Sequence, residues 1–125
     1  MSRRLLAAMA GIATALAVAG AAFSQGTATP KLKGTVGPGY TIKLTKSGTK
    51  VGSLKAGKYS FSIADKSPIH NFTLEQEKGG KFEKHLTATA FIGTKTMTVT
   101  LKRGKWKYYC SIHESQMFGF FKVTS

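Results

Sequence analysis

The chain has 125 residues but only one cysteine, Cys110, and only five acids: Asp65, Glu75, Glu77, Glu83 and Glu114. A single thiol excludes an internal disulfide, so the fold must rest on packing and hydrogen bonds alone. Beyond residue 24 there is no internal repeat, no low-complexity segment and no long uncharged run, which excludes a solenoid, a disordered tail and a spanning helix in that part of the chain. A length of 125 residues with 42% hydrophobic content suits one ordinary domain and is too short for two.

The one long uncharged run lies at the start. Arg3 and Arg4 precede "LLAAMAGIATALAVAGAAFS", which closes on small residues, Ala22 and Ser24, spaced like a signal-peptidase site. Residues 1–24 are therefore expected to be a cleaved signal peptide, and 25–125 a single domain. A retained membrane anchor is the competing reading, and the richness in Ala and Gly speaks against it. "SRRLL" partly matches a twin-arginine signal but lacks the usual Phe and the longer leader, so the general secretory and twin-arginine routes both stay open. The missing cysteine near the cleavage site argues against a lipid anchor. Export implies a periplasmic or extracellular setting, where a lone thiol is a liability unless it is buried, paired between chains or bound to something.

Two of the nineteen basic residues lie in the leader, which leaves 17 Lys and Arg against five acids and a net charge near +12 for 25–125. Such a field attracts acidic protein patches, anionic membrane surfaces or nucleic acid. A coat of solvated lysines that serves solubility is the plainer alternative.

Residues 25–39, "QGTATPKLKGTVGPG", read as a loose leader into a short strand at Leu32 to Val36. Apolar and polar residues then alternate: Tyr40, Ile42, Leu44; Tyr59, Phe61, Ile63; Met97, Val99, Leu101; Trp106, Tyr108. Period two in short runs means half-buried strands. The breaks at 46–50, 55–58, 65–68 and 102–105 carry Gly, Pro, Ser or Asp, the residues of tight turns. This spacing predicts an all-β antiparallel sandwich or barrel. Glu75 to Ala90 is polar, holds two glycines and keeps no period, so a long connection with a helical turn is expected there.

Residues two apart on a strand share a face. Trp106, Tyr108 and Cys110 are in phase and leave Lys105, Lys107 and Tyr109 to the other face. His70 is in phase with Phe72 and Leu74, and Met117 with Phe121 and Val123, while His113 sits in the loop between Cys110 and Met117. Taken singly, a cysteine is a small buried hydrophobe, a methionine is filler, and a histidine among apolar residues is a satisfied core or surface group. Together, a thiolate, two imidazoles and a thioether are the donor set of blue-copper electron-transfer sites, trigonal in Cys and two His with a weak axial Met. His85, in the polar "EKHL", reads as exposed and uninvolved.

"IHNF", followed about forty residues later by C-x-x-H-x-x-x-M-x-G, resembles the cupredoxins, in particular the small secreted plastocyanin/azurin-like proteins, over roughly Tyr40 to Val123. The resemblance implies a Greek-key β-sandwich of about seven to eight strands, with one copper held by His70, Cys110 and His113 and Met117 axial. It further implies a one-electron carrier cycling between Cu(II) and Cu(I), not an enzyme, with electron exit at the loop histidine, His113. Asn71 resembles the family asparagine that ties the two ligand-bearing strands together and helps place a backbone N–H near the cysteine sulfur. Gly119 fits the glycine that follows the methionine. The chain departs from the plastocyanin pattern in having Ile112 where Pro is usual, in a ligand loop one residue shorter after His113, and in Glu114 beside the loop ligand.

Pro68, Ile69, Ile112 and Phe118 are expected to form an apolar docking patch around His113, and the lysines to speed encounter with acidic redox partners. A monomer is expected. Rival readings belong to other classes. A storage or delivery protein would hold copper through the same ligands. Cys110 and His113 as a hydrolytic nucleophile and base lack an orienting third group. Zinc on one Cys and two His leaves Met117 without a role. A basic polyanion-binding sandwich is suggested by "KRGKWKYY", but with Trp106 and Tyr108 inward only Tyr109 is left for stacking, so no specific nucleic acid is expected.

Overall fold

The computed structural model describes residues 28–125; the expected signal peptide, 1–24, lies outside the described residues. These form ten strands: β1 (Lys31–Val36), β2 (Ile42–Lys46), β3 (Thr49–Lys50), β4 (Ser53–Lys55), β5 (Gly57–Asp65), β6 (Phe72–Lys78), β7 (Glu83–Thr87), β8 (Gly93–Leu101), β9 (Gly104–Tyr109) and β10 (Phe118–Thr124). The two beyond the expected seven to eight are accounted for by β3 and β4, pieces of two and three residues too short for alternation to register.

One sheet has the order β3-β2-β1-β5-β8 and the other β4-β10-β9-β6-β7, and the two face each other as the expected all-β sandwich of cupredoxin type. Most pairings are antiparallel, but β1 runs parallel to β5 and β10 parallel to β4, so the sheets are mixed. Alternation sets the packing. Tyr59, Phe61, Ile63 and Asp65 point inward from β5, and meet Phe72 and Leu74 of β6, Trp106 and Tyr108 of β9, and Phe121 and Val123 of β10 in one core. Trp106 is fully buried because its indole N–H has a partner, the Lys102 carbonyl at 2.8 Å. Ser47 and Gly48, both at positive φ, close the two-residue β2–β3 turn, where a primed turn matches the twist of a hairpin.

The stretch Glu75 to Ala90 is strand on both sides of a turn, not a long connection with a helical turn. β6 continues to Lys78 and pairs with β7 at Thr73↔His85 and Glu75↔Glu83. β7 is the sheet edge, and the inward-phase positions Gln76 and Lys84 are polar, so the period is hidden.

Three neighbouring strands of one sheet end together. β6 starts two residues after His70, β9 stops one before Cys110, and β10 starts one after Met117. That shared edge carries the candidate site.

Candidate metal centre

The turn after β9 is compact. The amide of His113 donates to the Cys110 carbonyl at 3.1 Å, that of Met117 to the His113 carbonyl at 2.9 Å, and that of Cys110 to the Met117 carbonyl at 3.0 Å. These bonds fold the loop back on itself before β10 begins. His113 ends half-buried, whereas His70 and Cys110 are 1% and 0% exposed.

The three side chains converge. His70 Nδ1 and His113 Nδ1 lie 3.1 Å apart, and Cys110 Sγ lies 3.8 Å from the first and 3.7 Å from the second. A metal bonded at about 2.0–2.1 Å to nitrogen and about 2.3 Å to sulfur needs N···N under about 4.1 Å and N···S under about 4.4 Å, and all three sides comply. The circle through the three donor atoms has a radius of about 2.1 Å, the size of one metal–ligand bond. One ion therefore fits between them in a near-trigonal arrangement, and among the described residues these three form the cluster able to hold one. His70, Cys110 and His113 thus form a candidate copper-binding site. Met117 is buried in the core beside them and shares a backbone hydrogen bond with Cys110.

Asn71 locks the two ligand-bearing segments. Its backbone N–H points at Cys110 Sγ at 3.5 Å, and its side-chain amide donates to Ser111 Oγ at 2.7 Å and Thr89 Oγ1 at 3.1 Å. Its Oδ1 accepts from the Ser111 N–H at 3.0 Å and from the Thr73 hydroxyl at 2.8 Å. A fully bonded buried amide of this kind fixes the relative position of its neighbours. The contact expected for Asn71 near the sulfur is present.

Tyr40 was expected on a half-buried strand face but precedes β2 and is 58% exposed. Its ring lies edge-on to His113 with centroids 5.0 Å apart, and tilted to His70 at 5.6 Å. The glycines around Pro38 marked a turn, but nothing in the local pattern indicated that the turn would swing Tyr40 over both imidazoles. Pro68, Ile69, Ile112 and Phe118 are all exposed, and Phe118 lies against Phe120 and Lys107 on the outer face of the sheet.

The outer sheet face is covered at two of its residues. Tyr109 is only 5% exposed, and its hydroxyl donates to Glu83 Oε1 at 2.6 Å, so it offers no stacking platform for a base. Burial, then the bond and charge of Glu83, push its hydroxyl pKa well up. Lys107 is not a solvated charge either: at 9% exposure its Nζ sits 2.7 Å from Glu114 Oε1 and 3.9 Å from Glu77, over the rings of Tyr109, Phe118 and Phe120. Glu114 is accordingly committed to Lys107. Beside them, burial and then the charges of Glu77, Glu83 and Glu114 raise the Glu75 carboxyl above its ordinary value. On the inner side, burial raises the Asp65 carboxyl, against the Thr87 and Ser67 hydrogen bonds and the nearby His70.

No family model and no curated protein sequence matches the chain. Solved structures do. The copper protein rusticyanin superposes with a TM-score of 0.57 at 17% identity, over 77% of this chain and 78% of that one. Reduced rusticyanin gives 0.55 at 16% identity, over 77% and 79%. At such identity the likeness is one of fold. No helix among the described residues is long and apolar enough to cross a membrane.

Proposed function

We propose that this chain, a cupredoxin by fold, is an exported type 1 copper protein that carries one electron at a time between redox partners. The observation that carries the reading is the triangle of His70 Nδ1, His113 Nδ1 and Cys110 Sγ, whose size suits one metal ion and whose donor types suit copper. His70, Cys110 and His113 would hold the metal, with Met117 as a further soft donor, and the set would suit copper. Copper, when bound, supplies the Cu(II)/Cu(I) couple.

The residues contribute rigidity and a way out. Fast transfer requires that ligands move little between the two states, and donors fixed by Asn71 and by the loop's own backbone bonds meet that need. His113, half-buried and with the exposed Tyr40 ring edge-on to it, is the route by which the electron reaches the surface. Partners dock there through a small apolar contact, and the excess of lysines draws in those with acidic surfaces. The protein works as a monomer in the periplasm or outside the cell.

The test is the visible and electron paramagnetic resonance spectrum of residues 25–125 after adding Cu(II), beside Cys110→Ser. An intense blue or green band with one copper per chain, abolished in the variant, is expected. A thiol at Cys110 that still titrates freely after copper addition, with no charge-transfer band, overturns the proposal. Slow electron self-exchange, or ready release of copper, would turn the reading to storage or delivery.

A further inference from the structure

His85 lies exposed on the edge strand β7, fifteen residues in sequence from the nearest candidate ligand, His70, and the ligand set gives it no role. Its Nδ1 is nevertheless in hydrogen-bond contact with Thr73 Oγ1, which is itself 2.8 Å from Asn71 Oδ1. The direction of every bond in this chain follows from chemistry. The Ser111 backbone N–H can only donate, so the Asn71 atom it meets is the carbonyl oxygen. The Thr73 hydroxyl meets the same oxygen and must donate to it. A hydroxyl has one hydrogen, so its contact with His85 is an accepted bond, and His85 Nδ1 carries the proton. The sequence His85 → Thr73 → Asn71 thus reaches the residue whose backbone N–H points at Cys110 Sγ.

We propose that His85 is a positioning residue for the metal centre, holding the Thr73–Asn71 network in a single donor direction and, through its own charge, making the reduction potential depend on pH. The inference rests on the copper reading for its redox half only. When His85 is neutral, the network selects the tautomer with hydrogen on Nδ1. When it is protonated the same bond becomes charge-assisted, and a positive charge stands at the end of a polarised chain that ends on the side chain of Asn71, whose backbone N–H faces Cys110 Sγ.

Reduction adds one electron to the centre and no proton, so the reduced form holds the His85 proton more tightly than the oxidised form. By linkage, protonation then raises the potential. Other charges face His85 on the same outer side of the sheet: Glu83 on its own strand, Glu75 on β6, and Tyr109 and Lys107 on β9; Lys84 lies on the opposite side of β7, and no strand lies beyond it. Of these, Glu83 is occupied by the Tyr109 hydroxyl and Lys107 by Glu114.

Two measurements test the proposal, and the first needs no copper. In the metal-free protein, the Asn71 side-chain amide and the Ser111 backbone amide should shift with pH in step with the His85 ring, over the range in which that ring is itself observed to titrate. That component should vanish in His85→Gln. It should also vanish in Thr73→Val, although His85 itself still titrates there. In the copper-loaded protein, the potential should rise as pH falls across the same range. A roughly threefold tighter hold on the proton in the reduced form corresponds to about 30 mV, at 59 mV per tenfold for one electron. His85→Gln should flatten this response and Glu75→Gln should not. Asn71 and Ser111 resonances that ignore the His85 titration, or a pH slope unchanged in His85→Gln, overturn the inference. Failure of copper to bind leaves the metal-free measurement to decide the network, so the two readings fail separately.

Discussion

Replacing Lys107 by Met should destabilise the protein much more at pH 7 than at pH 4. The ammonium lies on β9 opposite Phe120 and Glu75, ion-paired with Glu114 and Glu77 and set over three aromatic rings. Glu114 is more than half exposed, so solvent screening limits that pair to about 1 kcal/mol. The cation over rings that shield it from water adds about 1 kcal/mol. Methionine keeps the packing of the stem, so the expected loss is about 2 kcal/mol, or roughly 10 °C in Tm for a domain of this size.

The pH dependence separates charge from packing. Glu75, Glu77, Glu83 and Glu114 surround the site, and Glu75 already holds its proton more tightly than an ordinary glutamate, first through burial and then through its acidic neighbours, with Lys107 pulling the other way. Without Lys107 the folded-state value of the Glu75 carboxyl rises further. A group whose value is raised on folding contributes stability below its unfolded value and loses it as pH rises through the folded one. The deficit of the variant should therefore shrink toward pH 4, where the carboxyls take up protons, and be full at pH 7. Urea melts of both proteins at the two pH values measure it. An equal deficit at both would show that Lys107 acts by packing, and the electrostatic account of this face would be wrong.

Asp65→Asn should flatten the dependence of stability on pH between about pH 3 and 7. Burial raises the wild-type carboxyl, so wild-type stability falls as pH rises through that raised value; the variant should be the more stable of the two at pH 7, and a larger fall in the variant would contradict this. Gly119→Ala should cost about 1–3 kcal/mol in urea melts, because a Cβ there would enter the ring of Tyr108 on the facing strand; a neutral result would mean that the ring moves aside freely. Tyr40→Ala should leave stability within about 1 kcal/mol, since the side chain is exposed. It should nonetheless shift the His70 and His113 ring resonances of the metal-free protein, and unchanged resonances would refute the stacking.

What the sequence made legible, and what it hid, follows from where each residue lies in the sheets. Strands with one face in the core and one outside, such as Tyr59–Ile63 and Trp106–Tyr108, show their period plainly, and phase alone placed His70, Cys110 and Met117 on the inner side. β6 and β7 escaped because inward-phase positions are polar as well: Gln76 is buried and donates to the Arg103 carbonyl, and Lys84, opposite Leu74, is exposed at the sheet edge. Alternation also assigned Lys107 and Tyr109 correctly to the outer face but could not tell that this face is covered, since its covering comes from Phe118 and Phe120 on another strand. Tyr40 and His85 were hidden more deeply: each reaches the centre across a gap in sequence of thirty residues or more, or through an intermediate side chain, and no local pattern encodes such a contact.

The arrangement divides stability from chemistry along the length of the same strands. Phe72 stacks on Tyr108 with centroids 5.8 Å apart, and Tyr108 faces Gly119, so the ends of β6, β9 and β10 are clamped together two residues from His70, Cys110 and Met117. Asn71 then ties the loop after β9 to the segment before β6. With both clamps in place the donor triangle is set by the protein before any ion arrives, and an ion that changed charge there would meet ligands with little room to follow it. For a centre meant to pass electrons this rigidity lowers the reorganisation that each transfer requires. A site meant to release its metal would gain by loosening one clamp, and here His70 and Cys110 are buried behind both.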